Sequence, residues 1–85
     1  MKKEELEKKM RDYKTTFIKK TDAPPARSGK SLYIRAEHHE WISKIVHVIG
    51  HSEITLYEYV DSVLIEHFNR YHEEIVNSFI EERIF

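Results

Sequence analysis

The residues Lys30–Glu37, KSLYIRAE, alternate polar and apolar side chains as a half-buried strand does, and no other stretch of the 85-residue chain reads that way. A single strand presents unpaired donors and acceptors along both edges, so this segment needs a partner ladder if it is to be a strand at all. Leu32, Ile34 and Ala36 would share one face, with Ser31, Tyr33 and Arg35 on the other. Everything after it reads as helix. Ile42, Ile45, Val46 and Ile49 follow the i, i+3, i+4, i+7 spacing, and Gly50 is expected to end that helix from a left-handed C′ position. Beyond the turn HSEIT, Thr55-Leu56-Tyr57-Glu58 has the S/T-x-x-E form of a capping box. Leu56, Val60, Val63, Leu64, His67, Phe68, Tyr71 and Ile75 then form a long apolar stripe, which Phe79 and Ile80 extend.

The first thirty residues differ in kind. MKKEELEKKMRD favours helix by propensity but shows little apolar face, Tyr13, Phe17 and Ile18 suggest a short amphipathic segment, and TDAPPARSG reads as a linker. Two regions are therefore expected: a basic, flexible arm and linker over 1–29, and a folded domain over 30–85. Charge divides the same way. Residues 1–30 hold ten Lys/Arg against five Asp/Glu, net +5, whereas residues 31–85 hold four against ten, net −6. A basic arm on an acidic body points to a polyanionic partner. The absence of cysteine removes disulfides and thiolate metal sites. No apolar run approaches the roughly 20 residues needed to cross a bilayer, and no signal-peptide h-region follows the N-terminus, so a soluble cytoplasmic protein with no membrane partner is expected.

About 55 residues in the folded part make a marginal monomeric core. Two helices and one strand cannot shield Leu32, Ile34, Ile42, Ile45, Ile49, Val60, Leu64 and Phe68 from water. The sequence thus predicts a homodimer in which strand 31–36 pairs antiparallel with its own copy and those eight residues form the dimer core. The expected fold is mostly α with one short β-strand, an intertwined homodimer joined by an intermolecular antiparallel β-ribbon.

The strand SLYIRA, the helix EHHEWISKIVHVIG, the turn GHS and the capped second helix together resemble the ribbon-helix-helix family of the Arc and MetJ repressors, over roughly residues 30–70. A closer resemblance is to uncharacterised small proteins of conjugative transposons, carried by Tyr33-Ile34, Ile42, Ile45-Val46, Ile49, Thr55, Glu58-Tyr59-Val60-Asp61, Leu64 and His67. The transposon resemblance implies a mobile-element context only; the ribbon-helix-helix resemblance implies double-stranded DNA as partner, with Ser31, Tyr33 and Arg35 reading bases in the major groove. It also implies phosphate contacts at the second helix's N-terminus, from Thr55, Leu56 and Tyr57 with Lys30, His51 and Ser52 nearby. Lys14, Lys19, Lys20 and Arg27 would follow the DNA backbone from the arm. The expected role is a transcriptional regulator or conjugative-transfer accessory factor of a mobile element.

Other chemistry finds little support. His38, His39 and Glu40 point in different directions, Gly50 separates His47 from His51, and His67 and His72 are five apart, so neither a metal nor any other cofactor is expected. No phosphate loop, nucleophile elbow or paired catalytic carboxylates appear, which argues against an enzyme. Trp41 reads as a cover on the dimer rim or, alternatively, a partner-binding anchor. The alternative to DNA binding is a protein–protein interaction module, antitoxin-like or a relaxosome adaptor. It would present NRYHEEIVNSFIEERIF with Ile80, Ile84 and Phe85 to a conjugation or toxin partner. A monomeric helical fragment with the arm folded back is a third reading.

Overall fold

The structure, a computed structural model, describes residues 2–82; the predicted contacts of Ile84 and Phe85 lie outside them. Four α-helices follow one another: α1 (Lys3–Phe17), α2 (Ala36–Lys44), α3 (Leu56–Arg70) and α4 (His72–Glu81). A short 3-10 turn at Ala26–Ser28 interrupts the linker, and a π-helical turn at Ile45–Ile49 continues α2.

No strand occurs among the described residues, and this overturns the ribbon-helix-helix expectation. Residues 31–35 are extended but irregular, with Leu32 85% and Tyr33 100% exposed, and they meet no ladder. Alternation alone gives a segment two faces; a strand also needs a second row of backbone groups, and the chain offers none. Arg35 instead becomes the N-cap of α2, its carbonyl accepting from His39 N–H at 3.0 Å. The intermolecular β-ribbon and the intertwined architecture built on it are withdrawn.

α1 has Glu4 and Glu5 in its first turn and Lys14 in its last, each favourable to the helix dipole. Leu6, Met10, Tyr13 and Phe17 recur at i, i+4, i+7 and i+11, so an apolar stripe runs where the sequence reading saw little face. The C-terminal half of that stripe packs on α3. Tyr13 and Tyr59 hydroxyls share a 2.6 Å hydrogen bond, and the Phe17 ring lies 6.4 Å from the Tyr59 ring. Lys9 borders a groove with Arg70 and Tyr71 at the other end of α3, so the two helices run antiparallel. The arm drawn from sequence therefore contains a helix that contributes to the core. Pro24 and Pro25 keep the segment after it from continuing as helix.

α2 ends differently from the reading at Gly50. Its last turn widens to π, with Gly50 N–H bonded to Ile45 O at 2.9 Å. Gly50 itself has φ −84°; the left-handed residues are His51 (φ 53°) and Ser52 (φ 58°). Glycine is needed for space, since a Cβ there would sit 2.6 Å from Val46 O. The π turn sets Val46 inward, 1% exposed, and Val48 outward, 70% exposed.

The core is small: Val46, Ile54 and Tyr59, with Tyr13, Phe17, Ile18, Ile42, Ile45 and Leu56 packed around them. None of the eight residues assigned to a dimer core is buried in the single chain. The stripe from Leu56 onward does not run as one helix. It breaks at Tyr71 (φ −111°, ψ 19°) and resumes as α4, which buries no residue.

Candidate nucleic-acid interface

The linker is a strap over the N-terminus of α3. Thr21, Ala23, Pro24, Pro25 and Ala26 border the same groove as Thr55, Tyr57 and Glu58. Its anchor is Glu58. One carboxylate oxygen accepts from Thr55 N–H at 3.1 Å, completing the capping box with Thr55 Oγ1, which accepts from Glu58 N–H at 3.0 Å. The other accepts from Thr21 N–H at 3.2 Å. The backbone donor of Thr55 chiefly, then that of Thr21 and the nearby Lys20 charge, hold the Glu58 carboxyl below its ordinary value. Glu58 is thus an anion at neutral pH, seated where a helix dipole attracts one.

This geometry sorts the phosphate-contact residues inferred from sequence. Lys30, Leu56 and Tyr57, far apart in the chain, border one groove together with Leu32, Ile34, His39, Ile42 and Val60. Arg27 lies on the 3-10 turn, and Lys19 and Lys20 lie where α1 gives way to the strap. The bare N-terminus of α3, by contrast, is already satisfied by its own carboxylate, which repels a phosphate. His51 and Ser52 are exposed in the left-handed turn, where Ser52 Oγ pairs with His47 Nδ1 at 2.9 Å. Lys14 is exposed in the last turn of α1.

Ser31, Tyr33 and Arg35 are all exposed, but with no ribbon they have no strand face from which to read bases. Arg35 Nε lies 3.4 Å from Glu37 Oε2, a solvent-exposed pair of small energetic weight. All ten Lys and Arg of residues 2–30 are exposed. The ion pairs among the described residues are Arg35–Glu37, Lys44–Glu40 and Arg70–Glu66, so none of those ten cations is engaged in one.

Two features escaped the sequence reading. The first is the Glu58–Thr21 clamp, for which no local signal exists because the partners are 37 residues apart. The second is the Tyr13–Tyr59 pair. Burial first, then the hydrogen bond to Tyr59, raises the Tyr13 phenol well above its ordinary value. The i, i+4, i+7, i+11 stripe of α1 was the available clue to that contact.

Among the described residues no helix is long and apolar enough to cross a membrane. The assembly is a small all-helical domain with a basic strap on an acidic body. The chain belongs to the family described as "Protein of unknown function (DUF3408)", which matches residues 1–82, so α1 and the strap fall within the family's extent along with α2–α4. No curated protein matches it, and no solved structure does.

Proposed function

We propose that the chain binds double-stranded DNA through the phosphate backbone, as a regulator or a transfer accessory factor of a mobile element. The observation that carries the reading is the set of ten exposed Lys and Arg in residues 2–30, with no ion pair to another described residue, on a segment tied down by the α1–α3 packing and the Thr21–Glu58 clamp. Cations fixed on a scaffold neutralise phosphates and release condensed counterions, a sequence-independent source of affinity. The strap residues Lys19, Lys20, Arg27 and Lys30 are the centre of the contact, and the acidic body keeps the duplex on that side. Base readout by residues 31–35 is not part of the reading.

Fluorescence anisotropy of a labelled random duplex, from low to physiological salt, tests it. Affinity is expected to fall steeply. Replacing Lys19, Lys20, Arg27 and Lys30 with Gln should flatten the log–log salt slope by up to about 3.5, at roughly 0.9 per phosphate. Absence of binding at low salt, or an unchanged slope in the variant, removes the proposal.

One observation favours the interaction-module reading instead. α4 buries no residue, carries Glu73 and Glu74 in its first turn, and leaves Ile80 58% exposed. Retention of a conjugation or toxin protein that is lost when Phe79 and Ile80 become Ser, with no retention on DNA, would establish that role in its place.

A further inference from the structure

The chain exposes more surface than a compact monomer of its mass. Area–mass scaling gives about 5,400 Å² for 10.3 kDa, against 7748 Å² here, an excess of roughly 2,300 Å². The radius of gyration is 15.8 Å, where a compact 85-residue domain has about 12 Å.

Part of the exposed apolar surface lies on α2 and α3. Around the helix axis, Val60, Leu64, Tyr57 and Phe68 of α3 lie side by side without interruption, yet the helix buries only Tyr59 and Ser62. An apolar stripe of that kind ordinarily faces a core rather than water. Leu64 is 43% and Phe68 54% exposed, and Trp41 on α2 is 67% exposed. Two grooves share Ile34, Ile42 and Val60, so a single apolar trough runs between α2 and α3, with Leu32 at one end and Trp41 at the other.

We infer that this α2–α3 face is an interface with a second copy of the chain, α3 packing on α3 about a two-fold axis. Area and shape both select a second copy. Obligate homodimers bury about 2,000–5,000 Å² in total, so roughly 1,000–2,500 Å² per chain, a range that contains the excess found here. Val60, Leu64 and Phe68 recur every four residues and form an uncharged ridge. Such a ridge fits the groove beside its own copy, as a two-fold contact requires. The contact is helix against helix. Residues 30–35 contribute the Leu32 and Ile34 side chains and no strand. The inference stands apart from DNA binding, because either property can be lost without the other.

Sedimentation equilibrium of the full chain at micromolar concentration reads the result. The wild type should show twice the 10.3 kDa chain mass, the Leu64→Glu/Phe68→Glu variant the single mass, and the Val48→Glu variant the doubled mass. A single-chain mass for the wild type overturns the inference, whether the face is bare or reserved for a different protein. So does a doubled mass that survives the double substitution. Should that variant fail to fold, the cysteine-free chain allows a second measurement. Leu64→Cys, treated with a short bismaleimide, should give a double-mass band on a denaturing gel, and Val48→Cys should not. Equal cross-linking of the two, or none at Leu64→Cys, rejects the interface.

Discussion

Two sides of α3 have opposite fates, and the more apolar side is the open one. Toward α1, Tyr59 is closed in by Tyr13, Phe17, Val46 and Ile54, with a hydroxyl pair and a clamped capping box nearby. Away from α1, Val60, Leu64 and Phe68 of α3, with Leu32 and Trp41 near the α2–α3 trough, stay wholly or partly in water. Hydrophobicity does not decide which side is buried. The closed side has an antiparallel helix that reaches it through a linker long enough to reverse direction, whereas the open side has only an extended segment and a short α2. Burial follows what the connections allow to come near.

The largest test of the contrast is Tyr59→Ala, which removes the ring against Phe17 and the partner of Tyr13. By analogy with buried aromatics it should cost about 3–5 kcal/mol in urea unfolding. A loss below 1 kcal/mol would mean that the closed side is not the chain's core. Gly50→Ala comes next. The 2.6 Å approach to Val46 O is to backbone, which cannot swing aside, so roughly 1–3 kcal/mol should be lost although φ suits alanine.

Glu58→Ala should cost about 0.5–1.5 kcal/mol, the net scale of an intramolecular hydrogen bond, by opening the capping box. It also sharpens the comparison through pH. A carboxyl held below its ordinary 4.5 stabilises the fold above that pH and loses the contribution as pH falls through its lowered value. Glu58→Gln should therefore flatten the acid limb of stability between pH 5 and the lowered value, to about the extent that Thr55 and Thr21 hold the anion. An acid limb identical to wild type would mean that the clamp carries no weight. The smallest effect is expected at Val48→Ser, on the outward side of the π turn, within roughly 0.5 kcal/mol. A larger loss would show that the outward surface is covered.

The legible parts of this chain were those decided by neighbours in sequence. Thr55 and Glu58 are three residues apart, and the cap they form needs nothing else. Ile42, Ile45 and Val46 announced an amphipathic helix because its period is local. Reading the end of that helix from Gly50 found the right residue for the wrong reason, since a close approach to a carbonyl leaves no mark that differs from a left-handed glycine. In the candidate interface, the excess of cations in residues 1–30 was plain from composition, but their support by Tyr13, Phe17 and the Thr21 clamp was not.

Sequence by itself determined the amphipathic run of α2, the start and cap of α3 and the division of charge, because each depends on interactions within a few residues or on composition alone. Tertiary structure decided that KSLYIRAE is no strand, that α1 joins the core, and that Val46, Ile54 and Tyr59 rather than Leu64 or Phe68 are buried. Those outcomes turn on which surfaces meet across tens of residues, and a pattern of side chains states only that a surface is apolar, not what lies against it.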